Sequence, residues 1–445
     1  MIGRRHFMSA MGGMLAASVL PAPNLLFAAP GQLPIRKTGR YDGMESGASW
    51  RKDALKRIEL HRKADFEIVV RDGHGNLVPN AVVQISQYRH HFGFGAAVRP
   101  AHLFELGKSE HQAFYRETTS RYFHRVTIAN GLKWKHYQDN KLLVDQCLEW
   151  CIHEQLPVRG HCLVWPRFRR VPKELESLRT NRAQLRETIE KHIREFVSMY
   201  DEPLIEWDVL NEPFTEHEFM DLLGPEVVHD WFRIAEETNP RLRRYINDYG
   251  VLTRPGERHQ QFYYDYIQHL LATGVAVQGI GFQGHIPEAF DPTPPRQLLK
   301  TMDWFATLGL PLQVTEFDFE TTDLDLQARY TSDFLIAIFS HPAMTGLVTW
   351  TPYEYRKGQG SKPDAAFLDH KRHEKPNGHV WNSLVNGDWR TNMKTHTGEN
   401  GHAVFRGFKG LYDIGVSKGS GHITRQASLI DDGDQATLVL SDAKR

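Results

Sequence analysis

The chain has 445 residues, with 54 Lys plus Arg balanced against 54 Asp plus Glu. A cancelled formal charge excludes the basic surface of a nucleic-acid binder and points to a neutral polymer or small molecule as partner. The length houses a barrel of roughly 250 residues or more as one domain, and three cysteines, at 147, 151 and 162, exclude a disulfide framework.

The first residues, MIGRRHFMSAMGGMLAASVLPAPNLLFAAP, join Arg4 and Arg5 to a short apolar stretch, Ala10 to Leu20, and to small residues at Ala28 and Ala29. This reads as a bacterial export signal of twin-arginine character over residues 1–29. Its apolar stretch is too short to cross a bilayer of about 30 Å comfortably, and no other long apolar run follows. An exported, periplasmic or secreted chain with no membrane span after processing is expected. Residues 30–88 read as a linker and a β-rich segment. Within it, ADFEIVVRDGHGNLVPNAVVQISQY alternates apolar and polar residues around a Gly- and Asn-rich turn, the pattern of antiparallel strands. Residues 391–445 repeat that style and predict a C-terminal β-rich segment.

Between the flanks, residues 89–390 carry eight short apolar or β-branched runs that end in polar residues: 90–98, 125–130, 158–165, 206–212, 244–250, 277–285, 312–318 and 346–352. Segments such as RAQLRETIEKHIREFVSMY separate them, with apolar residues every three or four positions. Eightfold alternation of strand and helix predicts an α/β fold of the (β/α)8 barrel type. No Gly-rich phosphate loop follows the first run, so a doubly wound nucleotide-binding sheet is poorly supported. Cys147 and Cys151 stand four apart on an expected helix without a second Cys or His pair, which predicts packing thiols rather than a metal centre. No cofactor is implied.

In such a barrel the active site forms at the C-terminal strand ends. Those ends carry Asn130 and Lys133, His161 and Trp165, Asp208, Asn211 and Glu212, Asn247, Asp248 and Tyr249, Gln283 and His285, Glu316 and Asp318, and Trp350. A glutamate closing the apolar run IEWDVLNEPF is, taken alone, an ordinary solvated strand end; its coincidence with this polar ring argues for function. Residues two apart on a strand share a face. Gln283 therefore projects with His285, and Glu316 with Asp318, so His285 is expected to hold Glu316 ionised while Asp318 orients the imidazole. Acetal cleavage needs an acid to protonate the glycosidic oxygen and a second carboxylate for the cationic sugar carbon. Glu212 and Glu316 suit those roles, supported by Asn211, His161 and Asp208. A nucleophilic second carboxylate predicts a separation of about 5 to 5.5 Å and retained configuration. Trp165 and Trp350 offer faces for pyranose rings, while Asn130, Lys133 and Gln283 can grip hydroxyls.

At these motifs the chain resembles glycoside hydrolase family 10, the endo-1,4-β-xylanases on a (β/α)8 barrel, from about Arg89 to Val416. WDVLNEPF is similar to the acid/base motif and implies Asn211 and Glu212. VTEFD is similar to the nucleophile motif, implying Glu316 with Asp318, and GFQGH implies Gln283 and His285. RGHCLVW implies His161 and Trp165, NGLKW implies Asn130 and Lys133, INDYG implies Asn247 and Tyr249, and VTW implies Trp350. The substrate implied is xylan or a related β-glycan. Three departures stand out: Ala129 where the family usually has glutamate, Pro166 where it has histidine, and a loop over 351–366 with Tyr353 and Tyr355 that is expected to reshape the roof. Two other readings remain open at this point: a β-glycan-binding barrel without turnover, and a metal-dependent hydrolase prompted by 24 histidines.

Overall fold

The computed structural model describes residues 38–200, 202–355 and 363–440. The expected export signal lies outside them. Eight parallel strands close on themselves: Gly93–Val98, Arg125–Ile128, Val158–Gly160, Leu204–Asn211, Arg243–Asp248, Gly279–Phe282, Leu312–Phe319 and Met344–Thr349. The eighth pairs with both the seventh and the first, which removes every sheet edge. Each strand is answered by a helix, among them Trp134–His153 after the second and Arg182–Met199 after the third. These helices bury one stripe against the sheet, as the three- and four-residue spacing requires; Leu185, Ile189, Ile193 and Phe196 form the stripe in Arg182–Met199. Cys147, Cys151 and Cys162 are buried free thiols. Among the described residues, no helix is long and apolar enough to cross a membrane.

The two flanks are not separate pieces. Seven strands from both chain ends build one two-sheet sandwich. Lys63–Asp72 runs between His402–Phe408 and Gln435–Leu440, while Val82–His90 runs between Asn392–His396 and Gly410–Lys418, with Gly421–Leu429 at the edge. Phe66, Ile68, Val70, Ile85, Phe405 and Ile414 fill the space between the sheets. The strands on the two sides of the Gly- and Asn-rich turn are each antiparallel to a neighbour, Lys63–Asp72 to His402–Phe408 and Val82–His90 to Gly410–Lys418, and they lie in different sheets.

The segment read as a linker contains a helix, Ser49–His61. Trp50, Ala54 and Ile58 recur every four residues along one buried stripe in a stretch otherwise crowded with charge. The helix is held against Leu324–Ser340, the helix after the seventh strand. Arg51 forks onto Asp333, and the Tyr41 hydroxyl donates to the same carboxylate.

Candidate active site

Glu212 follows directly on the fourth strand, with its backbone in the left-handed region at φ 56°. That conformation costs a non-glycine residue about 1–3 kcal/mol and persists only where its surroundings fix it. The Glu212 N–H donates to the Asn247 carbonyl at 2.8 Å, and the Glu212 carbonyl accepts from the N–H of Glu216 at 2.9 Å. The carboxylate so placed accepts from Gln283 Nε2 at 2.8 Å and from Trp165 Nε1 at 3.1 Å. Burial lifts its pKa to about 7; the Gln283 bond and Arg170 oppose the rise, and the charges on Asp248 and Glu316 add to it.

Glu316, on the seventh strand, is more buried yet shifted the other way. Burial by itself would raise it, but His161, His285 and Lys133 together bring it down to about 2. One oxygen is 3.1 Å from His285 Nε2, and the other accepts from Asn247 Nδ2 at 3.1 Å. His285 Nδ1 meets Asp318 Oδ2 at 2.9 Å. Burial works against the imidazolium, but Asp318 and Glu316 carry its pKa up to about 9. Gln283 and His285, two residues apart beyond the sixth strand, therefore serve the two carboxylates separately, Gln283 bonding Glu212 and His285 bonding Glu316.

Beneath Glu316 the barrel interior is an ion-pair column. His161 Nε2 is 3.9 Å from Glu316 Oε1, and its Nδ1 is 2.9 Å from Asp208. Asp208 takes a hydrogen bond from Arg159, which also donates to Glu206 at 3.0 Å and Gln313 at 2.9 Å. Arg125 reaches the same Glu206 oxygen at 2.8 Å. Arg159, Glu206 and Arg125 were not anticipated from the sequence. Their signal was present: Arg159 shares its strand face with His161, and Glu206 shares one with Asp208.

Asn211 and Asn247 pair across neighbouring strands. Asn247 is fully buried and its amide is fully engaged: Nδ2 serves Asn211 Oδ1 and Glu316, and Oδ1 accepts from Thr315. Asn247 thus holds the Asn211 amide and the Glu316 carboxylate in place. A Cβ at Gly281 would sit 2.5 Å from Asn247 Oδ1, so that glycine makes room for the amide. Asn211 Nδ2, by contrast, is buried without a hydrogen-bond partner among the described residues, which leaves a donor beside the acid.

The Trp165 ring, whose Nε1 anchors Glu212, carries the Arg170 guanidinium at 3.8 Å and Lys133 Nζ at 4.8 Å from its centroid. Trp350 is half-buried, with Lys133 at 5.6 Å and His161 edge-on. Asn130 is exposed in the left-handed region and its carbonyl accepts from the Lys133 N–H. The Tyr249 hydroxyl donates to Thr215 at 3.3 Å. Ala129 is buried against Ala97, Val348 and Trp350. After Pro166, Arg167, Arg169 and Arg170 converge on buried Glu216. Tyr353 is buried, bonded to Thr119, and Tyr355 stacks on His102, so these two rings pack the barrel wall; residues 356–362 of that loop lie outside the described residues. Among the described residues, no group of three or more His, Cys, Asp or Glu could hold a metal ion.

A closed (β/α)8 barrel with two unlike carboxylates among the polar groups of its C-terminal rim defines the class of barrel glycoside hydrolases. The chain belongs to Glycosyl hydrolase family 10, which it matches over residues 85–377. Among curated relatives it is 27% identical over 378 residues to the anti-sigma-I factor RsgI6 of Acetivibrio thermocellus, covering 84% of this chain and 47% of that protein. It is 23% identical to endo-1,4-beta-xylanase 1 of Arabidopsis thaliana, covering 88% and 40% respectively. The chain thus spans less than half the length of these two relatives. Native xylanase 10B from Thermotoga maritima shares the fold, with a TM-score of 0.59 and 24% identity over 66% of this chain and 95% of that one.

Proposed function

We propose that the protein is a retaining endo-1,4-β-xylanase, acting on xylan or decorated xylan, with Glu212 as acid/base and Glu316 as nucleophile. The observation that carries this reading is the opposite titration of the two carboxylates: near neutrality one holds its proton at about 7 while the other, at about 2, is charged. In the first step Glu212 gives its proton to the glycosidic oxygen as a Glu316 oxygen attacks the anomeric carbon. The carbon–oxygen bond to the leaving sugar breaks, and a glycosyl ester on Glu316 results. The Asn211 Nδ2 donor, without a partner among the described residues, serves the sugar 2-hydroxyl as the transition state forms. In the second step Glu212, now ionised, takes a proton from water. The resulting oxygen attacks the same carbon, frees Glu316 and restores the starting protonation. His285 keeps Glu316 charged and aimed throughout. An exported location, as residues 1–29 imply, suits a polymeric substrate.

Time-resolved product analysis on linear xylan, arabinoxylan and glucuronoxylan tests the reading. Oligosaccharides of intermediate length appearing first support it; absence of product from every β-xylan contradicts it. Ala129 and Pro166, which stand where the family usually has glutamate and histidine, favour a second reading, a glycan-binding barrel without turnover. Affinity for xylo-oligosaccharides without cleavage over long incubation selects that alternative.

A further inference from the structure

At the other end of the barrel lies a cleft of about 580 Å³ that the reaction does not use. Its wall comes from both bodies of the molecule. His91 precedes the first barrel strand, Arg125 and Arg243 open the second and fifth, His61 ends the N-terminal helix, and Lys409 and Asp431 come from the sandwich. The N-terminal face of such a barrel ordinarily serves stability, so a gathering of cations there calls for another account.

The cations differ in how far they are already engaged. Arg62, also on the wall, donates to the carbonyls of Phe339, His341 and Met344, and Arg125 is paired with Glu206. The side chains of Arg243, Lys409, His61 and His91 have no hydrogen bond or ion pair among the described residues. Asp431 is the one carboxylate on the wall. The field is felt by the histidines: burial first, then Lys409, Arg243, Arg62 and Arg125 hold His91 below the ordinary range, and burial, Arg62, Arg57 and Lys409 do the same to His61. Positive groups collected on a concave wall attract an anion more strongly than the same groups on a flat surface.

We propose that this cleft is an oxyanion-binding site in which Arg243 and Lys409 hold a carboxylate or phosphate group. The Arg243 fork matches two oxygens of such a group, and Lys409 adds a point charge. The volume falls in the range of small-molecule sites, roughly 300–1,000 Å³, so the anion has room to be carried on a sugar-sized body. Asp431 would accept from hydroxyls of that body. The site is independent of the chemistry at the rim.

Calorimetric titration of the full chain at fixed ionic strength tests this with three probes: sodium glucuronate, inorganic phosphate and uncharged glucose. Saturable binding of glucuronate or phosphate, without binding of glucose, supports the proposal; glucuronate alone assigns a sugar carboxylate, phosphate alone a phosphoryl group. The double substitution Arg243→Ala, Lys409→Ala weakens that binding by at least about tenfold. Asp431→Asn, on an exposed side chain, tightens phosphate binding severalfold and supplies an arm that does not depend on the double variant folding. No saturable binding of either anion, equal binding of glucose, or affinities unmoved by Asp431→Asn and by a folded double variant overturn the proposal.

Discussion

Glu212 and Glu316 are the same residue type, set at the ends of two barrel strands, and their surroundings push them apart. Around Glu212 the neighbours are an amide, an indole N–H and two further carboxylates acting at a distance, so burial dominates and the proton stays. Around Glu316 the neighbours are two imidazoles, an amide donor and a lysine, and beneath them a column of alternating charge anchors His161 through Asp208 and Arg159. Depth within the protein therefore does not decide protonation. The partners do, and Glu316 is the more buried and the more acidic of the two.

The largest expected effect strikes the charged side. Glu316→Ala lowers kcat on xylan by at least about 10⁴-fold, the scale of losing a covalent catalyst; steady-state kinetics on soluble xylan measures it. Glu212→Gln lowers kcat by about 10²- to 10⁴-fold, the usual contribution of a general acid. Its loss shrinks on aryl xylosides whose leaving group needs no proton, whereas the loss at Glu316 does not. Comparing both substrates separates the roles of the two residues.

Arg159→Met tests the column below. It removes the cation shared by Asp208 and Glu206, which then keep only His161 and Arg125 as charged partners, and removing one partner of a buried pair costs about 3–5 kcal/mol. Chemical denaturation reads this as a lower midpoint. The smallest effect concerns pH. Glu212 must be protonated, so kcat/KM falls as pH rises through about 7; Glu316 must be ionised, so the acid side holds until pH approaches 2. Gln283 donates to the Glu212 carboxylate and favours its charged form. Gln283→Ala therefore moves the basic limb to higher pH and leaves the acid limb in place.

Strand-end position and the two-residue period made the rim legible in the sequence. His285 between Glu316 and Asp318 is reached from those two facts alone. The same parity points inward to Arg159 and Glu206, but a charge in a strand middle has no signal of its own until the partners that neutralise it are known. Partner choice was less legible. Alternation tells which face of a strand is buried, not which strand lies beside it, so the pairing of Lys63–Asp72 with His402–Phe408 from the other chain end could not be read. The neighbours of Asn247 were not legible either, because Thr315 comes from a distant strand and a motif carries only its own residues.

The division of labour between the two carboxylates is tested most directly by trapping the intermediate. The protein is incubated with a 2-deoxy-2-fluoro-xylobioside bearing an activated leaving group, digested, and analysed by mass spectrometry. The account predicts one glycosyl adduct, on the peptide that contains Glu316 and on that residue. Turnover with inverted anomeric configuration and no adduct, or an adduct carried by Glu212, would contradict it.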